Sequence, residues 1–396
     1  MIKIFYVDRF TDFTTQIFKD LQKIISNEKN FEITFVGPHE KDAVDWMSTH
    51  YVDGAKRVWY YGHYVRKLYS YIGNEKPNII HISFEWRMFG PLLASLKFPL
   101  LLLLLRFGTR AKIIVDFRSP MISKQDSKWK IMDDMMPMKT SRFILESFTK
   151  IFVKSVCGLC HKVVVDAEGN KLGMVEFYGI KAEKIEVNKL ILPQKPIVNN
   201  LDKSKKYHDQ FQNKKIILCF GVISKRKSYD LIINAFKTIS DKIPDYILVF
   251  AGLTTDDAKP YESMLREMVS KLDLNSRVFF TGYVDDEEAH VLFEMAEIAL
   301  YIYRPYPESS GALFFAIHHY TPSIVTNSET FTQILAKNDA IFVEYANLEQ
   351  LSDAILKLAT DEDLRSEFRI RLKSLSERIS KESSAIKYFE LYKKLC

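Results

Sequence analysis

The sequence predicts an α/β protein built from two doubly wound, parallel-sheet domains. Three observations carry that prediction. Short apolar runs rich in Val and Ile recur along the whole chain, stretches of helical spacing separate them, and a proline-bearing polar stretch divides the series near its middle. Continuous rather than alternating apolar runs are what strands buried on both faces require.

Taken in order, Met1 to Val7 reads as the first buried strand. It is too short an apolar run for a secretory leader, which places the protein in the cytoplasm as an expectation. Ile33 to Val36, Asn78 to Ile82, Lys112 to Asp116 and Lys162 to Asp166 continue the first sheet. Leu192-Pro-Gln-Lys-Pro196 followed by the polar run Asn199 to Lys206 reads as a linker, giving domains at 1–195 and 196–381. The second sheet takes Ile216 to Phe220, Tyr246 to Phe250, Val278 to Thr281, Ile298 to Ile302, Ser323 to Thr326 and Ala340 to Val343. Ser384 to Lys393 has the apolar spacing of an amphipathic helix.

Composition narrows the class without naming a chemistry. The 396 residues, 47% of them hydrophobic, can fill substantial cores. A formal charge of +6 is mild for this length and gives no reason to expect nucleic acid. Cys157 and Cys160 form a lone C-x-x-C beside His161; no second pair follows at zinc spacing, so no metal site is expected. No G-x-G-x-x-G or Walker A pattern is present among the 14 glycines.

Two segments look built for an anion. In the first, the strand ending at Phe220 runs into Gly221 and then the basic turn Ser224-Lys-Arg226-Lys227 before an amphipathic helix. In the second, Glu308-Ser309-Ser310-Gly311-Ala312 precedes a short apolar helix, with Arg304 just upstream. Ser309 and Ser310 are good capping types, Gly311 permits close approach to the backbone, and the first-turn N–H groups carry partial positive charge. Ligands of open parallel sheets bind beyond the carboxyl ends of the strands, so both segments can serve one diphosphate.

A third segment, residues 89–112, is leucine-rich and flanked by Arg87, Arg106, Arg110 and Lys112. Lys97 and Pro99 interrupt it, short of the roughly 20 apolar residues a span needs. An apolar helix ringed by cations suits an anionic membrane surface, so a peripheral position on the membrane is expected alongside the cytoplasmic one.

Together these motifs resemble the GT-B glycosyltransferases, particularly the large retaining family 4. The strand-Gly-x-x-x-x-x-Lys pattern falls at Gly221 and Lys227, the Glu-x-x-Gly loop at Glu308 and Gly311, and Phe279-Phe-Thr-Gly282 keeps the family order between them. The resemblance implies an acceptor domain and a donor domain around a cleft, with residues 382–396 packing back on the first domain. It implies transfer of a sugar from a UDP- or GDP-linked donor, used as substrate and without a further cofactor or metal, to a glycan or lipid-linked acceptor hydroxyl. Glu308 would contact the donor sugar; Gly221, Arg226, Lys227, Arg304, Ser309, Ser310, Gly311 and Ala312 would hold the nucleotide diphosphate. Where the family carries a histidine in the first domain this chain has Arg118, with Asp116 on the same face; the two are candidates for catalysis or for a structural ion pair. Val222 replaces a common arginine and Ala316 and Ile317 stand where a ribose-binding glutamate is usual, so a non-enzymatic GT-B partner subunit and a nucleotide-sugar epimerase are the competing readings. The acidic triplet Asp361-Glu-Asp363 reads as a helix cap rather than a metal-binding pair.

Overall fold

The computed structural model describes residues 1–8, 12–38, 55–59, 63–85, 89, 92–117, 142–189, 191, 201–211, 214–305, 310–379 and 384–396. The chain divides into two units, Met1–Leu192 with Glu382–Cys396 and Pro193–Lys381.

In the first unit the elements run β1 (Ile2–Val7), α1 (Asp12–Ile25), β2 (Phe31–Pro38), β3 (Lys56–Trp59), α2 (Tyr64–Glu75), β4 (Ile79–Phe84), α3 (Leu92–Ser95), α4 (Phe98–Gly108), β5 (Lys112–Phe117), α5 (Arg142–Leu159), β6 (Lys162–Val165), α6 (Glu168–Tyr178) and β7 (Ile185–Val187). The strands form one parallel sheet in the order β3-β2-β1-β4-β5-β6-β7. Alternation along each strand sorts the core into two layers. Phe5, Val7, Ile80, Ile82, Ile113 and Val115 face one way, against Leu101, Leu102 and Leu105 of α4 and Phe152, Val153 and Val156 of α5. Ile4, Tyr6, Ile79 and Ile114 face the other, against α1 and the C-terminal helix Ser384–Leu395.

The second unit contains α7 (Leu201–Phe211), β8 (Lys215–Phe220), α8 (Tyr229–Ile239), β9 (Tyr246–Ala251), α9 (Lys259–Lys271), β10 (Val278–Gly282), α10 (Asp286–Met295), β11 (Ala296–Tyr301), α11 (Gly311–His318), β12 (Ser323–Thr326), α12 (Glu329–Thr332), β13 (Ile341–Val343), α13 (Leu348–Thr360) and α14 (Glu362–Ile379). Its parallel sheet has the order β10-β9-β8-β11-β12-β13. Strand order therefore reverses between β8 and β11, and a crevice opens beyond strand ends at such a reversal.

Two expectations need correction. The polar run at 199–206 is not all linker: α7 begins at Leu201 and is held by side-chain contacts to α10. Lys203 Nζ lies 2.5 Å from Asp285, Lys206 Nζ 2.8 Å from Glu288, and Tyr207 donates to Glu288 at 3.1 Å. Asp285 and Glu288 also close a reciprocal cap on α10, so the acids that start one helix also anchor another. The leucine-rich segment is two helices, α3 and α4, breaking at Leu96-Lys97. Strands β3 and β7, of four and three residues, were too short to read from periodicity. Asp361 behaves as read, its Oδ1 accepting from the Leu364 N–H at 2.9 Å. Among the described residues no helix is long and apolar enough to cross a membrane.

Candidate functional site

The loop after β8 is shaped by glycines. Gly221 sits at φ 108°, a left-handed value that a side chain disfavours, and a Cβ there would lie 2.3 Å from Lys227 Nζ. Its N–H donates to the Ala251 carbonyl at 2.8 Å, and its carbonyl accepts from the Tyr229 hydroxyl at 3.2 Å. On the neighbouring strand end, a Cβ on Gly252 would meet the Gly221 carbonyl oxygen at 2.3 Å. The Gly252 N–H in turn donates to Gly282 at 2.9 Å. The ends of β8, β9 and β10 thus finish in a row of three glycines: Gly252 packs on the Gly221 backbone, Gly221 on the Lys227 side chain, and the Cβ position of Gly282 has open space.

Lys225 to Lys227 form a single tight helical turn, and Lys227 folds back beneath the loop. Its ammonium donates to the Phe220 carbonyl at 3.1 Å and lies 5.6 Å from the centre of the Tyr303 ring. The side chain is buried; desolvation, with Arg226 adding like-charge repulsion, lowers its pKa to about 7. Burial pushes the neighbouring Cys219 thiol and the Tyr229 hydroxyl upward, so both stay neutral. Arg226 places its guanidinium 4.9 Å from the Tyr303 ring centre, in cation–π range.

The two predicted anion segments meet here. The Arg304 N–H donates to the Arg226 carbonyl at 2.8 Å, joining the loop after β11 to the turn after β8. Phe220 at the end of β8 packs on Phe315 of α11, ring centres 5.0 Å apart. The α11 helix starts at Gly311 with Ser310 as its cap residue; Ser310 is buried, but its side chain makes no capping hydrogen bond, contrary to the capping role expected of it. The helix is instead fixed by the Tyr301 hydroxyl, which donates to the Ala312 carbonyl at 2.9 Å. No described atom lies within 4 Å of where a Gly311 Cβ would be, so the backbone there has open space beside it. Oriented first-turn amides, one guanidinium and one buried amine are suited to a nucleotide diphosphate.

Gly221, Arg226, Lys227, Arg304, Ser310, Gly311 and Ala312 thus share the ends of two neighbouring strands and the start of α11. Glu308 and Ser309 lie outside the described residues, as does Arg118 in the first unit. Asp116 is buried in the first unit near the end of β5, where it accepts a hydrogen bond from the Tyr388 hydroxyl of the C-terminal helix at 2.5 Å. His81, on the same sheet face, pairs with the Tyr392 hydroxyl at 2.7 Å. Sequence reasoning missed Tyr388 as a partner of Asp116, since 272 residues separate them. It also missed Gly252, whose signal was a glycine directly after a β-strand run.

Comparison with known proteins bears on this geometry. Residues 201–374 match the family model for glycosyl transferases group 1, covering α7 through most of α14. Mannosylfructose-phosphate synthase from Agrobacterium fabrum is 29% identical over 147 residues, 36% of this chain and 32% of that protein. An uncharacterized glycosyltransferase of Methanocaldococcus jannaschii is 23% identical over 81% of this chain and 80% of its own length. Among solved structures, Anabaena HepE in complex with UDP and glucose superposes with TM-score 0.74 at 12% identity, covering 100% of this chain and 99% of that one. Sucrose-phosphate synthase from Thermosynechococcus elongatus gives TM-score 0.74 at 14% identity with 100% and 99% coverage.

Proposed function

We propose, from the premise that the chain is a GT-B glycosyltransferase whose residues 201–374 form a glycosyl transferases group 1 domain, that it moves a hexosyl group from a UDP- or GDP-linked donor to an acceptor hydroxyl. The bond between the sugar's anomeric carbon and the diphosphate breaks, the acceptor oxygen takes its place, and the acceptor proton leaves with the diphosphate. Charge develops on phosphate oxygens as that bond opens. Stabilising it there lowers the barrier directly, because the interaction strengthens toward the transition state.

The observation that carries the reading is the Arg304 to Arg226 backbone link, which brings the basic turn after β8 and the loop leading to α11 to one strand-end crevice. Arg226 offers a planar fork, Lys227 a compact cation, and Ser310 to Ala312 the helix-start amides. These groups are assigned the role that a metal plays in other transferases. Glu308 is assigned to the donor sugar on family resemblance, as are retention of anomeric configuration and membership of family 4. Asp116, held by Tyr388, is assigned a structural role, and Arg118 keeps the catalytic candidacy in the first unit. UDP and UDP-glucose bound to HepE support a uridine nucleotide as the first to try. The acceptor proposed is a glycan or lipid-linked glycan at the cytoplasmic membrane face.

A non-enzymatic partner subunit is the second reading. Ala316 and Ile317 are fully buried, so α11 presents no carboxylate at those positions to a ribose. A thermal-shift screen against uridine, guanosine and adenosine diphosphate sugars separates the two readings. Stabilisation by one nucleotide sugar, lost in Lys227→Ala, is expected; no stabilisation by any of them favours the partner subunit.

A further inference from the structure

The first unit presents an apolar, cationic face that the donor site does not use. Helices α4 and α5 lie on the same side of the sheet, since their inner residues share one core layer, so their outer stripes face the same way. On α4 the outer stripe is Leu100, Leu103 and Phe107; on α5 it is Phe148 and Ile151. Phe107 is 80% exposed and Ile151 67%, values that cost free energy in water and call for a cover.

The described charges around this stripe are predominantly positive. Lys97, Arg106, Arg110, Lys150 and Lys154 are all exposed; α4 contains no Asp or Glu, and α5 contains a single one, Glu146, near its start. At the carboxyl end of α4 the face runs into a cavity of about 820 Å³, for which Phe107 forms part of the wall. Lys76, Arg110 and Lys112 line it together with Asn78 and Thr109, and none of its walls is an Asp or Glu side chain.

We infer that the α4–α5 face docks on an anionic phospholipid surface, with Leu100, Leu103, Phe107 and Ile151 entering the interface and the cavity beside Phe107 receiving a phosphate headgroup. Apolar side chains ringed by lysine and arginine are matched to that boundary, where acyl chains lie beneath anionic headgroups. A second copy of the chain fits poorly, because a two-fold contact would press this cationic rim against itself. The surface deepens the acceptor reading above and rests on it for its purpose: a docked enzyme meets a lipid-linked acceptor by diffusion in two dimensions.

The test is flotation of the full chain with vesicles of phosphatidylglycerol and phosphatidylcholine, against vesicles of phosphatidylcholine alone, at low and high salt. Flotation only with the anionic vesicles, reversed by salt, is expected. Arg110→Gln with Lys112→Gln should weaken partitioning about thirtyfold, from two headgroup contacts. Phe107→Glu with Ile151→Glu should abolish it, while the thermal shift by nucleotide sugar persists as the control for folding. The inference is overturned if the parent chain stays unbound at low salt, if both vesicle types bind it equally, or if Phe107→Glu with Ile151→Glu floats unchanged. A lipid-free dimer dissolved by that same double variant would also overturn it and reassign the face to self-association. Because flotation needs no donor, a chain that binds vesicles but no nucleotide sugar sinks the transferase reading and leaves this one standing.

Discussion

The two sheets share one winding but use it differently, one at its strand ends and the other across a covered face. In the second unit β8, β9 and β10 end in Gly221, Gly252 and Gly282; the space a side chain would fill is taken by Lys227 at the first and by backbone at the second, and is open at the third. In the first unit the face under the C-terminal helix is packed with rings: Tyr6 meets His81 edge-on with centres 4.9 Å apart, and Tyr388 and Tyr392 descend from that helix onto Asp116 and His81. One fold thus yields glycine-lined strand ends suited to approach by a ligand's phosphates in one unit, and a closed polar core beneath the C-terminal helix in the other.

That contrast can be broken most sharply at Gly252. Its replacement by alanine drives a Cβ into a backbone oxygen that no rotamer can move, so Gly252→Ala should cost about 3 kcal/mol or more and erase nucleotide-sugar stabilisation, read by thermal denaturation with and without donor. Next in size is Lys227→Ala, expected to lower the transfer rate by about 10²- to 10³-fold, the usual loss when one preorganised charge donor is removed. Its pH dependence sharpens the point. With a free-state pKa of about 7, Lys227 is largely uncharged above that value, and a bound diphosphate raises it. Donor affinity should therefore be full below pH 7 and fall as pH rises, by up to about tenfold per unit, with proton uptake measurable by calorimetry in buffers of different ionisation enthalpy. Lys227→Arg should remove that slope.

On the closed side, Tyr388→Phe takes one donor from a buried carboxylate. A loss of about 1–3 kcal/mol in urea denaturation is expected, with the donor-induced thermal shift unchanged. Smallest is Lys206→Ala, whose ammonium partner Glu288 keeps other hydrogen bonds; less than about 1 kcal/mol should be lost, and salt should shrink the difference.

Much of this was legible in the sequence, and the omissions have physical causes. Long apolar runs such as Ile216 to Phe220 and Tyr246 to Phe250 announced buried parallel strands because both faces of each are covered. Gly221 and Lys227 were legible because the glycine and the basic turn follow such a run directly. Helix α7 was hidden by its polar composition, since its buried anchors Tyr207 and Phe211 stand among charged residues, several of which pair with α10. The Tyr388 hydroxyl beside Asp116 was not legible, because it arrives from the far end of the chain. The break between α3 and α4 was half visible: Pro99 suits the first turn of a helix and so marks a beginning as well as an interruption.

The C-terminal helix carries one more consequence, for biosynthesis. Its rings complete a sheet whose strands were all translated before residue 201, while every element of the second unit emerges in between. On the ribosome the first unit must wait with one layer uncovered until the second has been made, so a stop codon near residue 384 would injure the half of the molecule that was synthesised first.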